Sequence, residues 1–271
     1  MNRIDATFAR LKTARRKALV PYVTAGDPSR EAMVPLMTKL VASGADIIEL
    51  GVPFSDPMAD GPVIQRASER ALARGVGLAD VLSIVRTFRQ SDASTPIVLM
   101  GYANPIEAMG IESFADRARD GGVDGVLVVD YPPEEAVEFS ELLEARGLAP
   151  IFLLSPTTPE ARIRAIAQIA RGFVYYVSLK GVTGAGHLDT SDVRRKLEEI
   201  RRYVRLPVGV GFGIRDAASA RAVATEADAV IIGARIIQEI ENGPPDSAGE
   251  RAGAWLHGIR SALDTIGARA A

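Results

Sequence analysis

Short apolar runs alternate along this chain with longer segments whose apolar residues recur every three or four positions. Eight runs stand out, at residues 19–24, 46–50, 97–101, 125–129, 151–154, 174–178, 208–212 and 229–233. Most lack polar alternation, as expected of parallel strands covered on both faces. Between them the period becomes helical. Met33, Leu36, Met37 and Leu40 form one stripe, and Ile163, Ile166 and Ile169 another. Val137, Leu142 and Leu143 mark a third helix, and Val193, Leu197 and Ile200 a fourth. Successive strand–helix units joined by right-handed crossovers predict an α/β fold, a (β/α)8 TIM barrel. An open doubly wound sheet is the alternative, and eight units in a row suit it less well.

Other pieces lie outside the repeat. Ile4, Phe8 and Leu11 predict an extra N-terminal helix, followed by a solvated turn at Arg15-Arg16-Lys17. The stretch 60–94 is long enough for two additional helices, broken at Gly75-Val76-Gly77. Asn242-Gly243-Pro244-Pro245 ends a short helix, and Trp255, Ile259, Leu263 and Ile266 place an amphipathic helix at the C-terminus. No linker composition interrupts the pattern, so residues 1–271 are expected to form a single barrel domain.

Composition narrows the chemistry. A hydrophobic fraction of 47% over 271 residues supports a large core. The formal net charge of −2 gives no reason to expect nucleic acid or an anionic membrane as partner. No apolar run approaches the roughly 18 residues needed to span a bilayer. Met1-Asn2-Arg3-Ile4-Asp5 has no apolar signal core, so a cytoplasmic location is expected. With no cysteine, disulfides, thiolate nucleophiles and thiolate metal ligands are excluded. His187 and His257 are the only histidines, so a multi-histidine metal site cannot be built and no metal is expected. Acid–base work falls to Asp, Glu or Tyr.

Glu49 is the most informative of these. It ends the apolar run Ala45-Asp46-Ile47-Ile48-Glu49-Leu50-Gly51, where alternation puts Ala45, Ile47 and Glu49 on one face. A carboxylate among aliphatic neighbours loses hydration, which raises its pKa toward that of a neutral-pH acid–base catalyst. Asp60 follows in the next loop, and the two make a candidate catalytic pair. The bland readings are an ion pair for Glu49 and a turn or helix cap for Asp60. Barrel enzymes place chemistry at the C-terminal ends of their strands, which adds Tyr102, Asp130 and Tyr175 to the candidates. Asp130, before Tyr131-Pro132-Pro133, reads as a loop stabiliser.

Glycines mark the last three strand ends. Gly181-Val182-Thr183-Gly184-Ala185-Gly186 follows the sixth strand, Gly211-Phe212-Gly213-Ile214 ends the seventh, and Gly233-Ala234-Arg235 ends the eighth. Such loops let backbone N–H groups and helix N-termini approach an anion. Their placement predicts a phosphorylated ligand.

The stretch from Glu49 to Pro62, Glu-Leu-Gly-Val-Pro-Phe-Ser-Asp-Pro-Met-Ala-Asp-Gly-Pro, resembles the signature of the tryptophan synthase alpha subunit. Pro21-Tyr22-Val23-Thr24-Ala25-Gly26-Asp27-Pro28, Gly101-Tyr102-Ala103-Asn104-Pro105, Gly181-Val182-Thr183-Gly184 and Gly211-Phe212-Gly213-Ile214 match that family in order. The resemblance covers nearly the whole chain. It implies retro-aldol cleavage of indole-3-glycerol phosphate to indole and glyceraldehyde 3-phosphate, late in L-tryptophan biosynthesis. It also implies a beta-subunit partner carrying pyridoxal phosphate, an α2β2 heterotetramer, and no cofactor in this chain. Glu49 would act as acid and base, and Asp60 would hold the indole N–H. Tyr175 would orient Glu49 or the substrate, and Thr183 would meet Asp60 when its loop closes. Tyr22, Met100, Tyr102, Leu127, Val129, Leu153 and Phe212 would surround the indole ring, although Leu127, Val129 and Phe212 also read as ordinary barrel filling. Asp56-Pro57 would face the partner. The chain departs from the family's common Gly-Ser after the eighth strand, because Ala234 carries no hydroxyl for phosphate.

Two other functions compete. An indole-glycerol phosphate synthase would need a lysine acid at a strand end, where only Lys180 is near, and the 53–62 motif does not suit it. A non-catalytic phosphate-binding regulator would have no use for Glu49 and Asp60.

Overall fold

The computed structural model describes residues 2–178, 190–211 and 213–268. The chain runs α1 (Arg3–Thr13), β1 (Ala18–Thr24), α2 (Met33–Ala42), β2 (Ile48–Gly51), α3 (Pro62–Ala73), α4 (Leu78–Phe88) and β3 (Ile97–Gly101). It continues α5 (Ala103–Met109), α6 (Ile111–Gly121), β4 (Gly125–Val128), α7 (Val137–Glu144), β5 (Ala149–Leu154), α8 (Glu160–Ile169) and β6 (Val174–Val177). The last part is α9 (Thr190–Arg201), β7 (Val208–Gly211), α10 (Ala217–Glu226), β8 (Ala229–Ile232), α11 (Ala234–Glu241), a 3-10 turn at Pro245–Ser247, and α12 (Ala248–Ala268).

The strands are all parallel and close in sequence order, with β8 pairing back onto β1. This is the TIM barrel that the alternating periods predict. Strand ends differ from the predicted ones by a residue or two. The largest differences are at β5, which starts at Ala149 rather than Ile151, and at β2, which starts at Ile48 rather than Asp46. Ala45 therefore lies before the strand and packs in the outer core with Leu40 and Ile48, not beside Glu49. Two helices follow β2, as the Gly75-Val76-Gly77 break requires. The extra helix α5 after β3 was not legible from period. Along α12 the buried stripe is Ala252, Leu256, Ile259 and Leu263, with Trp255 and Ile266 at its edges.

Two apolar layers hold the barrel. Outside the strands, helix faces cover one layer. Inside, Val20, Ile47, Val98, Ile151 and Ile231 fill the bore, and Ile4, Phe8 and Leu11 of α1 join the same cluster. The Phe8 and Phe173 rings sit 5.9 Å apart. The N-terminal helix is therefore the floor of the barrel. Asn2 pins it there by accepting from the Ile4 N–H at 2.9 Å and donating to the carbonyls of Asp124 and Gly147 at 2.7 and 2.8 Å.

At the same end, aspartates tie neighbouring strands together. The Leu19 N–H donates to Asp46, Ile97 to Asp124 and Val208 to Asp228, at 3.0, 2.9 and 2.9 Å. Each carboxylate precedes one strand and binds the first backbone donors of the strand before it, which sets register. Asp124 also takes Arg3 at 2.9 Å and Arg89 at 2.7 Å. Ionic staples at the closed end leave the other end free for chemistry.

Candidate active site

The C-terminal mouth of the barrel opens into a cavity of about 940 Å³. Glu49 and Asp60 share its wall with Tyr22, Met100, Val129, Leu153 and Tyr175. Glu49 sits on β2 opposite Tyr22 of β1 and Val98 of β3. Its side chain points into the bore because period-2 alternation pairs it with Ile47. The residue is 1% exposed, and Oε1 is buried with no hydrogen-bond partner among the described residues. Burial, reinforced by the nearby negative charge of Asp60, pushes its carboxyl up to about 8. At neutral pH Glu49 is therefore protonated, a carboxylic acid ready to donate. An ion-pair reading fails, because no cation lies within bonding distance of it among the described residues.

Asp60 reaches the cavity from the loop that opens α3. Burial raises its carboxyl to about 6, and the Tyr102 hydroxyl, donating to Oδ2 at 3.0 Å, pulls the other way. Asp60 therefore remains largely ionised at neutral pH. Tyr102 also accepts the Ala59 N–H at 3.0 Å, so one phenol clamps both the loop and its acid. Gln65 donates to the Asp60 carbonyl at 2.8 Å. Arg70 of α3 binds the buried Asp27 at 2.7 Å and Glu241 of α11 at 3.2 Å, which ties α3 to the turn after β1 and to the helix after β8.

The tyrosines lie across glycines. A Cβ on Gly51 would collide with the Tyr22 hydroxyl, and one on Gly211 with the Tyr175 hydroxyl. Both rings can lie down at the mouth only because the neighbouring strand ends in glycine. Burial raises both phenols well above the usual tyrosine range, with Asp60 and Glu49 adding to the effect, so they stay neutral hydroxyls.

Of the predicted wall residues, Leu127 is not on the cavity. It is wholly buried one layer down in the bore, because alternation on β4 brings Val129 to the mouth and leaves Leu127 beneath. Tyr102, also predicted on the wall, is buried behind it and acts through its hydroxyl on Asp60. Phe212, Thr183 and Gly184, together with Lys180 and His187, lie outside the described residues. His257 is exposed on α12. Asp130 lies on the wall, and its Oδ1 accepts the Ala103 N–H that opens α5, at 2.8 Å. Sequence reasoning missed Ile64, Phe152 and Arg215 of the wall. Ile64 and Phe152 come from a helix start and a strand whose apolar pattern is that of core.

Gly213, Gly233 and Ala234 meet at one end of the cavity. Gly213 holds φ +76°, a left-handed turn that suits glycine. The N-terminus of α11 faces this end. The N-terminus of α10 is already taken by Asp216, which accepts the Ser219 N–H at 2.8 Å, so it offers less to an anion. Arg235 runs along α11 to Glu239 and lies over the Trp255 ring at 5.8 Å, away from this end. Among the described residues no group of three or more His, Cys, Asp or Glu is placed to hold a metal ion. Nor is any described helix long and apolar enough to cross a membrane.

The family model for the tryptophan synthase alpha chain matches residues 8–255. The tryptophan synthase alpha chain of Bordetella bronchiseptica is 62% identical, over 98% of this chain and 96% of the relative. That of Methylibium petroleiphilum is 60% identical over 100% of both chains. The crystal structure of the alpha subunit from Legionella pneumophila superposes with a TM-score of 0.91 at 47% identity, covering 98% of this chain and 100% of that one. Likeness of this depth covers nearly the whole chain, and the chain belongs to the tryptophan synthase alpha chain family.

Proposed function

We propose that this chain cleaves indole-3-glycerol phosphate to indole and glyceraldehyde 3-phosphate, with Glu49 and Asp60 as its catalytic residues. The observation that carries the reading is a protonated, unpartnered carboxyl on the same cavity wall as an ionised one. Glu49 gives its proton to C3 of the indole ring, and the ring becomes an indolenine with positive character at nitrogen. Asp60 accepts the ring N–H and stabilises that charge. Glu49, now a carboxylate, takes the proton of the adjacent glycerol hydroxyl. The O–H electrons form the aldehyde C=O, the C–C bond breaks, and its electrons return to the ring as indole. Glu49 ends protonated, ready for the next cycle. Two carboxyls thus take two roles set by their surroundings.

Tyr22, Met100, Val129 and Leu153 form the apolar slot for the ring, and Tyr175 orients Glu49 or the substrate. Gly213, Gly233 and Ala234 receive the phosphate, with Gly184 and Thr183 expected to complete the site from outside the described residues. The chemistry uses no cofactor in this chain. The chain works as one domain in the cytoplasm, with a beta subunit that carries pyridoxal phosphate, in an α2β2 assembly. Loop 52–61 is the natural docking element, since Met58 is 85% exposed there, beside Asp60.

The test is glyceraldehyde 3-phosphate release from indole-3-glycerol phosphate, followed by a coupled dehydrogenase, with and without beta subunit. Glu49→Gln should lower turnover by roughly 10³-fold or more while ligand binding stays within a few-fold. Release that survives the substitution would overturn the assignment.

A further inference from the structure

Among the described residues of the cavity wall, acids outnumber arginines. Glu49, Asp60 and Asp130 line it. Its arginines are Arg162 and Arg215. Arg162 is engaged by Glu134 at 3.3 Å on the outer rim. Arg215 is exposed and has no carboxylate within ion-pair distance among the described residues. It stands two positions after Gly213 in the turn that leads to α10, on the wall that Gly233 and Ala234 complete. The other arginine of this region, Arg235, is committed to Glu239 and Trp255. Ala234 offers no side-chain donor.

A phosphate dianion entering here meets the negative charge of Asp60, while Glu49 is protonated and adds none. Backbone N–H groups carry only partial charge, so a full cation at this end has a clear electrostatic task. We propose that Arg215 is the cationic anchor for the phosphate end of the ligand and sets the preference for phosphorylated over unphosphorylated substrates. This inference rests on the proposed function, which puts the phosphate at the Gly213–Ala234 end. Arg215 touches no reacting atom in this arrangement; it binds and steers.

Calorimetry with glycerol 3-phosphate, and separately with indole, tests the proposal on the full chain. Arg215→Ala should weaken glycerol 3-phosphate roughly tenfold and leave indole unchanged. Arg215→Lys should recover most of the loss, since charge is kept while the planar fork is not. Arg221→Ala, an exposed charge on α10 away from the cavity wall, should change neither and controls for net charge. In steady state, Arg215→Ala should raise KM for indole-3-glycerol phosphate with kcat within about twofold, the pattern of lost uniform binding. The variant's dependence on added salt should also be shallower. Wild-type chain that prefers glycerol 3-phosphate to glycerol, beside an Arg215→Ala variant with the same preference, would overturn this inference alone. Wild-type chain with no such preference would overturn both the anchor and the placement of the phosphate.

Discussion

In the proposed mechanism, single carboxyls carry the chemistry at the residue scale. Glu49 sits where its ordinary value of 4.5 is driven to about 8, and Asp60 where 3.8 becomes about 6. kcat/KM should therefore fall below pH about 6, as Asp60 takes up a proton, and above about 8, as Glu49 loses the one it must donate. A profile flat across both limbs would contradict the roles. Stability follows from the same shift. The folded state holds the Glu49 proton more tightly than the unfolded chain, so between pH 4.5 and about 8 unfolding releases it. Stability from this group is full at low pH and declines toward pH 8. Glu49→Gln removes that decline, and it should be more stable than wild type at pH 8 by the order of a few kcal/mol, with little gain at pH 5. Urea unfolding at the two pH values reads the difference. Tyr102→Phe tests the clamp on Asp60. Losing its hydroxyl raises the Asp60 carboxyl further, so the acidic limb should move to higher pH while folding stays intact.

The element scale explains why the acids stand where they do. β2 ends in Glu49-Leu50-Gly51, so the acid faces the bore and the glycine makes room for Tyr22. β7 repeats the device with Gly211 under Tyr175. Gly211→Ala should push the Tyr175 ring toward the cavity and cut turnover roughly tenfold or more through misplacement, whereas thermal stability should shift by only a few degrees. A variant with normal kcat would mean that the ring position is immaterial. These glycines were visible as a pattern, yet their partners were not, because a ring crossing from a neighbouring strand has no signal in local periodicity. α3 and α11 belong here too. Their link through Arg70, Asp27 and Glu241 joins residues far apart in the chain, and no spacing rule reveals it.

Over the whole molecule the barrel divides into a stapled end and a working end. Asp124 holds Arg3, Arg89 and the Ile97 N–H at the stapled end and is nearly inaccessible. Asp124→Ala takes the carboxylate from the buried Arg89, which keeps only neutral carbonyl partners at Gly122, Asp92 and Thr95, and leaves the Ile97 N–H unpaired. It should cost about 3–5 kcal/mol of stability, measured by denaturant unfolding, with KM unaffected in the protein that remains folded. The three aspartates that precede β2, β4 and β8 share this role with neighbouring strands. Each follows a small residue or valine just before an apolar run, a regularity present in the sequence that periodicity analysis passes over.

The fold was legible because burial on both strand faces writes itself as apolar runs, and helix faces write a second period between them. Eight units in order leave one closed arrangement, and Glu49 and Asp60 were legible from type and position. Local sequence by itself determined the eight strands, most of the helices, their order and the position of the two acids. Only the tertiary structure decided which state each acid adopts, that Leu127 lies below the cavity while Val129 lines it, that Arg235 turns away, and that α1 closes the floor. These depend on the distance and solvent access between residues remote in the chain, and dielectric and packing are properties of the assembled barrel rather than of any segment.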